Sequence, residues 1–462
     1  MEEKKAKTAP SKKATETARE IWPYVKEDYT AGHKLKAEGK PIVWSCAMFP
    51  KEIYWAMDIY PYFPEHYGVL TGMFRYGGSK DENVEKEAVR FCRIAESAGF
   101  GSYLCGYARS TIGHSLSGDI ADAPMGGMPK PDMIISTSCV CDIRGKWLRY
   151  LAQIHQVPFF LLDLPNERQC DLPLTTPGIR SAFLPYFERI KRGERDIFFS
   201  PPAEHEIDYM QSQIEDCITF IEDISGHSYD QDRFNEVMEL SYRTNELRLE
   251  IMELRKAMPA PMGTPDGLTC MYPGTYTCGT QRCYDFYERL RDELRERVAN
   301  GVGIIPDEKF RLLWFGLAPW FNMSLFNYFE KYGGVFVYEP IYNMVPFPPR
   351  NPENPIRELA VRQLQQSGGM ISPAQIGQAV SNVVNAAREY RCSGLVTFNL
   401  ITCRPVVYPT VEMERILDEE FGIPSVPIEC DLVDERTYSE AQTLARFDAF
   451  AERLLKMEPV FG

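Results

Sequence analysis

Basic residues are in the minority in this 462-residue chain: 51 Lys and Arg stand against 65 Asp and Glu, a formal net charge of −14. Nucleic-acid backbones are held by an excess of Lys and Arg, so the deficit argues against a nucleic-acid partner. No run of 18 or more apolar residues occurs, so no membrane span is expected. The start, MEEKKAKTAPSKKATETARE, is charged and has no apolar centre, which is unlike a signal peptide and makes the cytoplasm the expected compartment. Histidine is scarce, six in all, with no H-x3-H pair, and no C-x-x-C occurs, so the spacing of a zinc site is missing. G-x-S-x-G and G-x-x-x-x-G-K-[ST] are also missing. GVGII at Gly301 lacks the third glycine and the leading strand of a dinucleotide fingerprint.

What the chain does have is a large apolar fraction, 44%, and thirteen cysteines. An odd count without an export signal points to reduced thiols or metal ligands and away from a disulfide framework. Length alone suggests more than one domain. Residues 1–40 read as an N-terminal helical arm. From Pro41, short apolar runs (PIVWSCAMF, YPYFPE, PDMIISTS, VPFFLLDLP) alternate with helical segments, which predicts a doubly wound parallel sheet over 41–202. Residues 203–304 are helical in pattern throughout and read as a connector. The alternation returns in RLLWFGLAPW, GVFVYEP, GLVTFNLITC and VPIECDLV, predicting a second sheet domain over 305–462. The fold class expected is therefore α/β, with two Rossmann-like domains, a helical connector and an N-terminal arm.

Sites of open α/β sheets lie beyond the carboxyl ends of the strands, so cysteines at strand-to-helix turns carry the most interest. Cys139 and Cys141 end one strand, Cys403 ends another, and Cys105 opens the GYARSTIG helix. A helix N-terminus favours thiolate over thiol. Spacing alone leaves two readings open: ligands converging on a metal, or buried structural thiols. Cys92, Cys217 and Cys430 read as packing residues, and His33 and His227 as surface loop residues. His114 is either helix surface or a neighbour of the cysteine site. Glu65, after a proline at a strand end, is either a solvated loop charge or a group for proton transfer. Trp320 is either a core aromatic or a platform for a ligand.

Five stretches carry a resemblance: VWSCAMFPKEIYWAMDIYPYFPE, LCGYARSTIG, GGMPKPDMIISTSCVCDIRGKWLRYLAQIHQVPFFLLDLP, RLLWFGLAPW and SGLVTFNLITCRP, with a closing CDLVDERTYSEAQTLARFDAFAE. In this order, from about residue 40 to the C-terminus, the chain resembles the larger iron–sulfur subunits of the 2-hydroxyacyl-CoA dehydratase and benzoyl-CoA reductase family. By that resemblance Cys105, Cys141 and Cys403 match three ligands of a 4Fe-4S cluster. Cys141 is matched in preference to Cys139 because it stands five residues before Lys146. The resemblance also implies a related smaller iron–sulfur subunit, an ATP-hydrolysing iron–sulfur activator as electron donor, and an acyl-CoA substrate. Glu65 matches the family's Pro-Glu, with His66 in place of the more usual Asn, and is the expected proton-transfer group. Ser45, Cys46, His66 and Trp320 are the expected substrate contacts, Ser45 also taking part in catalysis.

Two departures bear on the reaction. The first-strand turn, serine-rich in the dehydratases, reads WSCAMFP here, and the dehydratases' NRSCKP reads LITCRP. Both remove polar groups suited to a substrate hydroxyl, which favours reduction of an aromatic or related acyl-CoA. Elimination of water through a ketyl radical is the alternative. A non-catalytic cluster-bearing scaffold or electron-relay subunit is a third.

Overall fold

The computed structural model describes residues 11–118, 122–139, 141–165, 186–194, 201–340, 345–369, 376–407, 410–458 and 460–461. Two four-stranded sheets carry it. The first has β1 (Ile42–Trp44), β2 (Tyr60–Tyr62), β3 (Met133–Thr137) and β4 (Phe159–Leu162) in the order β2-β1-β3-β4. The second has β5 (Phe310–Phe315), β6 (Gly334–Tyr338), β7 (Gly394–Leu400) and β8 (Ser425–Cys430) in the order β6-β5-β7-β8. Every strand pairing within the two sheets is parallel. The runs IVW, MIIST and FRLLWF are buried along their whole length, as strands covered on both faces must be. Along β5, Leu312 and Trp314 enter one core while Leu313 and Phe315 enter the other, the two-residue period of a strand between two helical layers.

The two sheets thus repeat one strand order. In each, the connection from the first strand runs one way and the later strands are added on the other side. This places a topological switch point between β1 and β3, and a second between β5 and β7. Crevices at the carboxyl ends of such strands are where open α/β sheets hold ligands.

Between the sheets, after a helical stretch at 186–191, run the long helices Glu204–Ser225, Gln231–Leu254, Thr264–Tyr276 and Gln281–Ala299. The arm forms helices Glu16–Arg19 and Ile21–Ala37, and buries Ile21, Tyr24, Val25 and Tyr29. It is tied to the helical segment by Thr15, whose amide and hydroxyl both donate to Asp266 Oδ1 at 2.8 Å. His33, expected in a loop, lies inside the Ile21–Ala37 helix and is half-buried, with Nε2 3.1 Å from the Gly127 carbonyl. His227 is in a loop but half-buried, its Nδ1 2.7 Å from the Met57 carbonyl. Cys92, Cys217 and Cys430 are buried, as a packing role requires.

The helix Gly106–Ser117 crosses Glu87–Ser97 so closely that a Cβ on Gly113 would lie 1.9 Å from the Phe91 carbonyl oxygen. Because the obstacle is backbone, it cannot rotate away. Gly113→Ala is expected to cost about 3 kcal/mol or more and to lower the urea midpoint of unfolding. An unchanged midpoint would show that this crossing is loose.

Candidate functional site

Cys105 is the N-cap of the helix Gly106–Ser117, Cys141 is the N-cap of Asp142–His155, and Cys403 immediately precedes the short helix Arg404–Val407. Cys141 and Cys403 follow β3 and β7, the strands that flank the two switch points. Twelve of the thirteen cysteines lie among the described residues, and nine of these are buried. The three that are half-buried are Cys105, Cys141 and Cys403.

The three thiols also feel one another. Burial chiefly pushes the Cys105 thiol well above its ordinary value, and Cys403, Cys141 and Asp431 push it further, against the Ala108 amide. Burial likewise lifts Cys403 to about 11, the Val406 amide opposing, Cys141 adding and the Arg144 guanidinium opposing. Cys403 and Cys141 thus lie within electrostatic reach of Cys105, and Cys141 within reach of Cys403. The helix amides do reach two of the sulfurs, as the sequence predicts, but burial outweighs them. The neighbours of the cysteines are fastened together as well. Arg404 donates to Asp142 Oδ2 at 3.2 Å, linking the turns of Cys403 and Cys141. Trp147 Nε1 donates to Thr111 Oγ1 at 2.9 Å, linking the helices that begin at Cys141 and Cys105.

Among the described residues, no group of three or more His, Cys, Asp or Glu side chains is gathered tightly enough for a single metal ion. A 4Fe-4S cube makes a different demand, because each cysteine binds a different iron and the sulfurs stand apart. Three half-buried thiols within electrostatic reach of one another form a soft donor set of the kind such a cube takes and suit a hard cation poorly. Cys139 lies elsewhere: its sulfur is in the core, and its carbonyl accepts from the Cys141 amide at 2.7 Å and from Arg144 Nη1 at 2.6 Å.

The remaining expected site residues fall into two groups. Glu65, at the start of helix Pro64–Met73, is buried. Its Oε1 accepts from Arg144 Nε at 2.7 Å and its Oε2 from the Ala47 amide at 2.5 Å. It therefore joins the first-strand turn to the helix that starts at Cys141. Cys46 is buried in the same neighbourhood, its thiol raised mainly by burial with Arg144 opposing. Ser45 is fully buried and its Oγ is 2.7 Å from Tyr54 Oη, so its hydroxyl is already engaged.

His66 and Trp320 belong to the second group. Both line a cavity of about 540 Å³ bounded by the arm, helix Pro64–Met73, helix Thr264–Tyr276 and residues 320–324. Trp22, Tyr107, Tyr272 and Tyr276 make much of its wall. Trp320 Nε1 donates to Tyr107 Oη at 2.5 Å, and Tyr107 stands two positions after Cys105. The cavity and the cysteine site thus share the first turn of one helix. Arg144 and Tyr107 do not stand out from the sequence. The signals for them are a cation three positions after Cys141 and an aromatic two after Cys105, at helix starts whose cysteines are already of interest.

Burial depresses the pKa of His66 to about 3, and His66 Nδ1 sits 3.1 Å from Tyr29 Oη. His114, packed 4.6 Å from the Tyr67 ring, is also depressed to about 3, chiefly by burial and then by His155 and Arg90. Neither ring nitrogen of His114 has a hydrogen-bond partner. Both imidazoles stay neutral in the folded chain well below 6.5, where the unfolded chain takes up protons. Stability is therefore lost as pH falls from about 6.5 toward 3, by about 1.4 kcal/mol per pH unit for each histidine. His114→Leu is expected to reduce that slope in urea unfolding between pH 6 and 4. An unaltered slope would contradict this.

Two parallel sheets of like order, with Cys141 and Cys403 following the strands beside the switch points and Cys105 capping a helix, define a two-halved α/β protein. The family model described as 2-hydroxyglutaryl-CoA dehydratase, D-component, matches residues 46–454, and the chain belongs to that family. It is 24% identical over 440 residues to the (R)-phenyllactyl-CoA dehydratase alpha subunit of Clostridium sporogenes, covering 91% of each chain. It is 23% identical over 432 residues to the (R)-2-hydroxyisocaproyl-CoA dehydratase alpha subunit of Clostridioides difficile, covering 92% of this chain and 93% of that one. With a subunit of the benzoyl-CoA reductase of Thauera aromatica it shares 25% over 414 residues, 86% of this chain and 85% of the other. The chain is a larger subunit of this enzyme family. Among the described residues no helix is long and apolar enough to cross a membrane.

Proposed function

We propose that the chain is the 4Fe-4S subunit of an acyl-CoA radical enzyme that passes low-potential electrons to an aromatic acyl thioester, reducing it in the manner of a benzoyl-CoA reductase. What supports this is the electrostatic reach of Cys403 and Cys141 to Cys105, at the start of a helix whose Tyr107 also lines a cavity walled by aromatic rings. Cys105, Cys141 and Cys403 would hold the cluster, which when bound supplies single electrons at low potential. The cavity takes the acyl group. Its apolar walls exclude water, and Trp320 and the neutral ring of His66 orient the guest. Lys13, Arg19 and Lys86 also line it and suit the phosphates of the CoA portion. Glu65, which accepts from Arg144 and the Ala47 amide, is the group proposed for proton transfer, taking up a proton from solvent and delivering it to the reduced acyl group. The engagement of Ser45 by Tyr54 leaves its hydroxyl ill-placed to hold a substrate hydroxyl, which supports reduction.

Dehydration of a 2-hydroxyacyl thioester is the second reading. It is favoured by the dehydratase names of two of the three relatives described above. An aromatic acyl group is common to the phenyllactyl and benzoyl relatives and fits the cavity under either reading. The partner expected is a related smaller iron–sulfur subunit, with an ATP-hydrolysing iron–sulfur activator supplying electrons in the cytoplasm. Tyr103 and Ile401, exposed two positions before Cys105 and Cys403, give the thiol face an apolar border suited to a protein contact.

The test is low-temperature EPR of the anaerobic, reduced chain with benzoyl-CoA and, separately, phenyllactyl-CoA. A spectrum changed by benzoyl-CoA and by phenyllactyl-CoA to a lesser degree supports reduction. A response to the hydroxylated thioester alone supports dehydration. A cluster signal indifferent to both would leave a scaffold or electron-relay subunit.

A further inference from the structure

Cys105 and Cys403 come from opposite halves of the chain, yet a single carboxylate stands against a sequence neighbour of each. Asp431, just past β8, is fully buried. Its Oδ2 accepts from the hydroxyl of Thr402, the residue before Cys403, at 2.5 Å, and from Arg109 Nη2 at 3.3 Å. Its Oδ1 accepts from the amides of Val433 and Asp434, both at 2.9 Å. On the other side it abuts Gly106, the residue after Cys105, so closely that a Cβ there would lie 2.1 Å from Oδ1. Asp431 is therefore wedged between the sequence neighbours of two of the three thiols.

Arg109 holds the wedge from below. Its side chain is 1% exposed, and it lies one turn into the helix that Cys105 caps, its amide donating to the Cys105 carbonyl at 3.0 Å. Its guanidinium donates to the Leu104 carbonyl at 2.9 Å, to Asp434 Oδ2 at 2.8 Å and to Glu96 Oε1 at 2.7 Å. Burying charge in this way is a poor route to stability, since well-packed apolar side chains commonly do as well. A carboxylate beside thiols also opposes their ionisation. What the arrangement supplies is geometry: short, directional contacts fix one turn of the first half against one turn of the second.

We infer that Asp431, paired with Arg109 and bonded to Thr402, is a positioning residue that sets the separation of Cys105 from Cys403 and thereby retains the cluster. The inference rests on the cluster reading above. Groups behind metal ligands typically change metal retention by about 10–100-fold when replaced. The experiment follows iron release to bathophenanthroline, the EPR line shape of the reduced cluster and the urea midpoint, all on the full anaerobic chain. Asp431→Asn keeps the shape of the side chain, and Thr402→Val removes only the hydroxyl. Glu339→Gln is the control, because it weakens a buried pair with Arg255 at 2.8 Å that touches none of the three cysteines.

Asp431→Asn is expected to release iron about 10–100-fold faster with a shifted EPR line shape. Thr402→Val is expected to do so to a smaller degree, and Glu339→Gln to lower the urea midpoint with release at the wild-type rate. Wild-type release rates in both Asp431→Asn and Thr402→Val would overturn the inference. If Asp431→Asn does not fold, Thr402→Val decides alone. A wild-type chain without iron would instead sink the cluster reading, and this inference with it, before any variant is compared.

Discussion

Replacing Cys105, Cys141 or Cys403 by Ala is expected to remove most of the iron and acid-labile sulfide from the anaerobically isolated chain, while Cys139→Ala leaves both largely in place. The contrast follows from burial and surroundings. Cys105, Cys141 and Cys403 are half-buried at helix starts, and Cys403 and Cys141 both act on the Cys105 thiol, as Cys141 does on Cys403. Under the proposed three-cysteine ligation, the loss of one ligand would leave two, too few to hold the group against exchange. Cys139 is two residues from Cys141 but its side chain is in the core, and its structural contribution is a carbonyl that Ala also carries. Iron retained in Cys141→Ala and lost in Cys139→Ala would reverse the assignment.

The second large effect belongs to Glu65 and Arg144, whose side chains are each 10% exposed and 2.7 Å apart. Arg144→Met leaves a buried carboxylate with only the Ala47 amide and is expected to cost about 3–5 kcal/mol. It also frees the turn that presents Cys141, since Arg144 grips the Cys139 carbonyl. Glu65→Gln is milder, because an amide still accepts one hydrogen bond. It is expected to keep the iron while lowering turnover by about 10²–10⁴-fold, the range for loss of a proton-transfer group. The pH profile of turnover separates the two roles: a purely structural Glu65 would leave its shape unchanged, whereas a proton-transfer Glu65 gives the profile a limb that Glu65→Gln lacks. Unchanged turnover in Glu65→Gln would leave Glu65 as a tether for Arg144 and Ala47.

Much of this fold is legible in the sequence because strands covered on both faces need almost unbroken apolar runs. IVW, MIIST, FRLLWF and GLVTFNL all announce themselves that way, and each is a strand. Cysteine position is legible for a related reason: a thiol after such a run and before a helix must lie at the carboxyl edge of a sheet. The partners are not legible. Arg109 meets Asp431 322 residues away, and Trp320 meets Tyr107 213 residues away. No local periodicity encodes contacts between segments so distant, and each depends on how the two halves dock. Ser45 shows the same limit at short range. Its place after β1 suggests a hydroxyl turned toward substrate, but Tyr54, nine residues on, takes the hydroxyl into the core. His33 misleads because an isolated histidine among lysines looks solvated, whereas the helix carries it toward the Gly127 carbonyl.

The cluster is the claim on which the rest depends, and iron and acid-labile sulfide content of the anaerobically purified full chain, with EPR of the reduced protein, tests it most directly. About four irons and four sulfides per chain, with the signal of a reduced 4Fe-4S centre, is the predicted result. A chain that holds neither iron nor sulfide under those conditions would contradict it and leave Cys105, Cys141 and Cys403 as thiols that only pack.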